Sequence, residues 1–162
     1  MTTPYYAPTR QGRIIVGITE SLVAAYSAAA NVPTTLHTLS IPPAGLEAPG
    51  DSIIFEYLGS FAASAGSSNL TLTLGGLSFF TADAFTATTG GRYSLRGRLY
   101  RQANGLALGS AELLSVDKTA RVVAEVAANL DSEQALVLVG EGLTANDVAL
   151  FCATFDFRGN RV

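Results

Sequence analysis

The sequence predicts an all-β fold, an antiparallel sandwich of two sheets, and three observations predict it. Short stretches alternate apolar and polar residues with a period of two. In NLTLTLGGLSFF (69–80), Thr71 and Thr73 sit between Leu70, Leu72 and Leu74, then Gly75 and Gly76 reverse the chain. Such alternation marks strands with one dry and one wet face, and paired glycines supply the positive φ of a tight hairpin turn. Similar stretches recur at short, regular spacing between Gly, Pro and Asn clusters. No internal repeat of roughly 20–50 residues is present, which sets aside solenoids and propellers.

The elements follow in order. MTTPYYAPTRQGR (1–13) has two prolines, a glycine and no period, and reads as an extended arm. Its Tyr5 and Tyr6 are amphipathic anchors of a kind enriched at interfaces. RIIVGITE (13–20) is β-branched and predicts a strand. LVAAYSAAA (22–30), ended by Pro33, reads as strand or irregular structure. In TTLHTLSI (34–41), Leu36 and Thr38 are expected on one face and His37, Leu39 and Ile41 on the other. PPAGLEAPG (42–50) is a loop. DSIIFEYLGSF (51–61) places Ile53, Phe55, Tyr57 and Phe61 on one face, which Gly59 continues, allowing a bend or a close approach.

ASAGSSN (63–69) is a turn region before the opening hairpin, and TADAFTATTGG (81–91) reads as a loop plugged by Phe85. RYSLRGRLYRQ (92–102) sends Tyr93, Leu95 and Leu99 inward and Arg92, Arg96 and Arg98 outward. Asn104-Gly105 is a strong hairpin signal leading into LALGSAELLSV (106–116). DKTARVVAEVAANL (117–130) is read as a strand on its valines, and QALVLVGEG (134–142) as a buried strand. In NDVALFCATFDFR (146–158), Phe151, Phe155 and Phe157 are expected on one face and Val148, Leu150 and Cys152 on the other. About eight strands in two packed sheets is the jelly-roll count. The division expected is an arm and lead-in over 1–33 and a jelly-roll sandwich over 34–162.

Composition bounds the role. The 162 residues are 48% hydrophobic, and only 14% are charged, against roughly 25% in an average globular protein. The surface must therefore be rich in small uncharged residues or be covered by partners. The net charge of −3 argues against nucleic acid, whose phosphates need clustered Lys and Arg. The basic cluster Arg92, Arg96, Arg98 and Arg101 reads as a solvated strand face. No uninterrupted apolar run reaches the ~18 residues of a membrane helix, so no membrane partner is expected. The start MTTPYYAPTR lacks the apolar region of a secretory leader, and the single cysteine, Cys152, forms no internal disulfide. Synthesis in a reducing cytosol is the expectation.

Reactive chemistry finds little purchase. The sole histidine, His37, reads as a hydrogen-bonded structural residue in a strand. Cys152, among Leu150, Phe151 and Phe155, reads as an inert thiol. Zinc-ligand spacing, phosphate loops and dinucleotide fingerprints are not found. The carboxylates Glu56, Asp83, Glu112, Glu125, Glu133, Glu141, Asp147 and Asp156 are no more than any sandwich of this size carries. Asp131 with Glu133, or Glu141 with Asp147, has no regular calcium spacing. Asn69-Leu70-Thr71 matches a glycosylation sequon by chance. The chain is expected to be no enzyme, with no catalytic residue, cofactor or metal.

The stretch TLHTLSIPPAGLEAPGDSIIFEYLGSFAASAGSSNLTLTLGG (35–76) resembles jelly-roll virion proteins of tailed bacteriophages. The residues that carry this are Ile41-Pro42, Leu46, Gly50-Asp51, Gly59, Phe61, Asn69, Leu72 and Gly75; Pro43 and the preceding alanine segment depart from the pattern. The match spans about a quarter of the chain. The resemblance implies a capsid decoration or cement protein, a head spike or a tail-fibre module, commonly trimeric. The leading expectation is a homotrimer on the capsid exterior, synthesised in the host cytoplasm. It would hold the major capsid protein through the arm residues Tyr5, Tyr6, Arg10 and Arg13. The alternatives are a tail-fibre or baseplate module touching the host, and a carbohydrate-binding sandwich, which the lack of Trp disfavours.

Overall fold

The computed structural model describes residues 25–26, 31–64 and 66–159. The arm residues Tyr5, Tyr6, Arg10 and Arg13, the 13–20 segment and most of 22–30 lie outside them. The described chain is all-β: nine antiparallel strands and one two-residue strand form two sheets. Its helical content is the 3-10 turn Pro43–Gly45. The strands are β1 (Ala25–Tyr26), β2 (Thr34–Ile41), β3 (Ser52–Phe61), β4 (Ser67–Leu74), β5 (Leu77–Thr86), β6 (Gly91–Arg101), β7 (Leu106–Ser115), β8 (Thr119–Asn129), β9 (Gln134–Glu141) and β10 (Val148–Arg158). One sheet runs β1-β10-β3-β6-β7-β8 and the other β2-β9-β4-β5.

The core lies between the sheets because the alternation aims one row of each strand inward. From β3 come Ile53, Phe55, Tyr57 and Phe61, from β4 Leu70, Leu72 and Leu74, and from β9 Leu136 and Leu138, all buried. Each such side chain taken from water contributes about 1.5–3 kcal/mol. β6 presents Tyr93, Leu95 and Leu99 to the same core and turns Arg92, Arg96 and Arg98 outward, as the alternation predicts. Gly75 and Gly76, at φ 58° and 80°, make the β4–β5 turn, and Gly105, at φ 79°, makes the β6–β7 turn.

Strict alternation fails where a strand gains a residue. The β2–β9 register shifts between Thr35 and His37. Leu36 takes the extra position and is buried with Ile41, while Thr38 is exposed, so Leu36 and Thr38 do not share a face. His37, Leu39 and Ile41 stand opposite Leu138, Leu136 and Gln134. The β10–β3 register shifts between Leu150 and Cys152, which makes Phe151 the extra residue. Val148, Leu150, Ala153 and Phe155 are consequently all buried, and the expected split between the phenylalanines and Val148/Leu150 is overturned. A bulge adds one residue to one strand and reverses the facing of everything beyond it.

Residues 81–86 are strand, not loop: β5 continues to Thr86, with Ser67 opposite Thr86 and Ser68 opposite Phe85. The loop-like composition loses because β4 begins at Ser67 and offers backbone partners that far. The Phe85 side chain lies outside the described set. DKTARVVAEVAANL does form a strand, and its facing alternates without a break; the pattern looks imperfect in sequence because Val123 stands on the outward row, 63% exposed.

Candidate interaction surfaces

The outward residues of β3, β6, β7 and β8 fall into register across the six-stranded sheet. Glu56, Arg96, Glu112 and Arg121 stand directly opposite one another in turn, a row of alternating charge over four strands. Arg96 Nε and Nη2 donate to Glu112 Oε2 at 3.1 and 2.9 Å, and Ser94 donates to Glu56 at 3.1 Å. Beside this row, Leu58 and Leu114 flank Ser94, and both leucines are exposed with Val116 and Val123.

The four arginines of the basic cluster do not converge on one point. Arg92 lies 5.9 Å from the Phe151 ring centre. Arg98 lies 4.4 Å from that of Tyr100 and donates twice to Ser52 Oγ. Arg101 turns to the end of the sandwich, where it donates to the Leu46 carbonyl at 3.2 Å and pairs with Asp131. A phosphate site needs cations aimed at one place, and here each is engaged separately.

The outer face of the four-stranded sheet differs in kind. Two rows cross it: Thr35, Val139, Thr71, Thr81 and Thr38, Val137, Thr73, Ser78. They present hydroxyls and methyls without charge, so desolvating them costs little compared with ion pairs. NLTLTL shows only Thr71 and Thr73 of this face directly; the rest needs the register, which sequence alone does not supply.

The carboxylates are placed apart. Asp117 accepts from Thr88 Oγ1 and from the Thr89 and Gly90 amides. Asp147 is buried and accepts from the Thr144 amide at 2.8 Å and hydroxyl at 2.6 Å, closing its own loop. Glu133 takes the Ser40 hydroxyl, Glu125 the Gln102 amide, and Asp156 pairs with Arg158. Among the described residues, no three His, Cys, Asp or Glu side chains are grouped to hold a metal ion.

His37 stacks on Phe155 at 5.4 Å and meets Tyr57 edge-on at 5.7 Å. Burial holds its imidazole below the ordinary value of 6.5. Its Nδ1 is buried without a hydrogen-bond partner among the described residues, so the hydrogen-bonded role expected from sequence is not found at that nitrogen. Burial also drives the phenols of Tyr57 and Tyr93 well above their usual range, with Tyr93 adding to the rise at Tyr57. Cys152 is half-buried, opposite Leu58, with the Thr154 hydroxyl 3.9 Å from its sulfur. Asn69 is half-buried at the start of β4. This set presents broad faces and an apolar interior. No protein-family model and no curated protein matches the chain.

Proposed function

We propose that the chain is a structural protein of a bacteriophage virion, a capsid decoration or cement protein that forms homotrimers on the outer shell. The arm residues Tyr5, Tyr6, Arg10 and Arg13 would hold it to the major capsid protein. We infer the jelly-roll type from nested pairings: β1 with β10, β2 with β9, β3 with β6, and β4 with β5. Such nesting is one antiparallel ribbon, and rolling it brings β10 beside β3 and β9 beside β4. The β7–β8 hairpin is then an addition at the β6 edge. This order supports the family that residues 35–76 resemble.

The observation that carries the reading is the contrast between engaged charges and broad faces. Arg92, Arg96, Arg98, Arg101 and most of the acids named above are tied to neighbours within the fold, while one outer face offers two rows of threonine, serine and valine. A protein made to be covered needs faces that lose water cheaply, since interface cores are depleted in charge. No reactive centre enters this reading.

Imaging of expanded, DNA-free capsids incubated with the purified protein tests it. Three-fold density on the shell exterior is expected, with a trimer as the mass of the dilute protein. Deleting residues 1–13 should abolish capsid binding and leave that mass unchanged. A dilute monomer with no affinity for capsids would overturn the proposal.

A further inference from the structure

We propose that β8 is a self-recognition edge, where two copies of the chain join their six-stranded sheets antiparallel about a two-fold axis through Val123. Among the described residues no strand pairs with the outer side of β8, the last strand of its sheet. Its inner side pairs with β7 without interruption, from Thr119 opposite Leu114 to Val126 opposite Ala107. That gives eight consecutive residues of bonded strand with one row of backbone groups that no described strand bonds; β5, the edge of the other sheet, comes near β8 without pairing with it. Natural edges of this length are blunted by proline, lysine, bulges or inward charges. TARVVAEV (119–126) has no proline or lysine, no register shift within it, and no charge on its inward row of Ala120, Val122, Ala124 and Val126.

The side chains specify the partner. In an antiparallel pair centred on Val123, each residue meets the one whose number completes the same sum. Val123 meets Val123 of the second copy, Arg121 meets Glu125, Glu125 meets Arg121, and Thr119 meets Ala127. Directly opposed side chains stand about 4.5–5.5 Å apart at Cβ, within reach of an ion pair. The outward row is thus self-complementary in one register: an apolar contact flanked by two opposite-charge pairs. A slip of two residues would set Arg121 against Val123 and lose both pairs.

Each member of the row is available for this. Val123 is 63% exposed. Arg121 is exposed and makes no ion pair among the described residues. Glu125 is exposed, and Gln102 occupies its Oε2 alone. The inward row supports the same partner. Ala120 and Val122 pack against the core yet stay partly open, and a strand beside them would complete their burial. Main-chain bonds would supply affinity and the Arg–Val–Glu row would supply register, as in other strand additions. The contact is two-fold and separate from the proposed three-fold ring, so it would join neighbouring rings.

Sedimentation equilibrium tests it over about 1 µM to about 1 mM protein, the span in which small interfaces associate. The wild type is expected to gain mass as concentration rises: a dilute monomer would double, and a dilute trimer, with three such edges, would grow past doubling. Val123→Lys should abolish the gain and keep the dilute mass. Arg121→Glu and Glu125→Arg should each weaken it about tenfold or more, since like charges then oppose twice per contact. The double variant R121E/E125R should restore it, because the swapped row is again self-complementary. Unfolding midpoints of the variants show that each is folded. No gain of mass with concentration in the wild type, or a gain unchanged in Val123→Lys, would overturn the inference. A dilute species other than a trimer would count against the ring alone.

Discussion

The ring of Phe55 lies across Gly97, the residue directly opposite it in β6. A Cβ on Gly97 would fall 2.4 Å from Phe55 Cζ and 2.1 Å from the Ser110 carbonyl oxygen. Four residues along the same pair of strands the arrangement is reversed. Tyr93 of β6 covers Gly59 of β3, where a Cβ would meet Tyr93 Cζ at 2.4 Å and the Ala149 carbonyl oxygen at 2.0 Å. Two glycines leave the pleat bare and two aromatic rings from the facing strands fill it, so the centre of the large sheet rests on reciprocal pairs.

Gly97→Ala should therefore be among the most damaging single-methyl changes in the chain. The added carbon overlaps a backbone oxygen, which no rotamer change relieves, and overpacking of this kind costs about 3 kcal/mol. Urea unfolding should show a lower midpoint with an unchanged slope. Adding Phe55→Leu should recover only part of the loss, because the Ser110 carbonyl remains in place. Full recovery would show that the ring alone sets the constraint.

His37 should make stability depend on pH in one window. The native imidazole titrates below 6.5, the value expected once the chain unfolds. Above 6.5 both states are neutral and His37 gives no slope. As pH falls below 6.5 the unfolded chain takes up a proton that the native state resists, and stability drops until the native group also titrates. The unfolding free energy should decline as pH falls below 6.5, and His37→Phe should flatten that part of the curve. A wild-type curve already flat there would contradict the burial of the ring.

How much of this was legible depended on local pattern against register. The Leu70–Leu72–Leu74 row, the inward Tyr93, Leu95 and Leu99, and the glycine turn at 75–76 are written in neighbouring residues and could be read directly. Leu36 and Phe151 could not, since a bulge is fixed by the partner strand and not by the residue that bulges. The strand over 81–86 was hidden for a related reason: its composition favours a loop, and its pairing with β4 decides otherwise. The Glu56–Arg96–Glu112–Arg121 row joins residues up to 65 positions apart and exists only once four strands are aligned. Gly59 gave a signal for close approach, but nothing in sequence named Tyr93 as the group that approaches.

Asp117 ties the β7–β8 turn to the loop before β6. Its carboxylate accepts from the Thr89 amide at 3.2 Å and the Gly90 amide at 3.0 Å, with the Thr88 hydroxyl at 3.2 Å. Gly90 is buried with φ 67°, and a Cβ there would lie 2.6 Å from the Ala63 amide nitrogen. Asp117→Ala should cost about 1.5–3 kcal/mol, the scale of hydrogen bonds to a charged acceptor after solvent exchange. The Gly90 amide should exchange with solvent faster in that variant, while Leu95 and Leu113 amides in the adjoining strands keep their protection. Loss of protection across β6 and β7 as well would mean that the tether holds the sheet and not the loop alone.

The phenol of Tyr93 is buried with no hydrogen-bond partner among the described residues, and so is that of Tyr57. Each hydroxyl gave up water on folding and received no bond from the described residues, a cost of about 1–3 kcal/mol per group. Tyr93→Phe removes that cost and keeps the ring that packs at 4.7 Å against Phe61 and covers Gly59. The variant should be as stable as the wild type or gain up to about 1 kcal/mol. Tyr93→Leu instead leaves Gly59 uncovered and should lose about 2–4 kcal/mol. The pair of midpoints separates the two contributions of one side chain. A loss in Tyr93→Phe of about 1 kcal/mol or more would show that the phenol has a partner beyond the described residues, and a small loss in Tyr93→Leu would show that the ring is not what fills the space over Gly59.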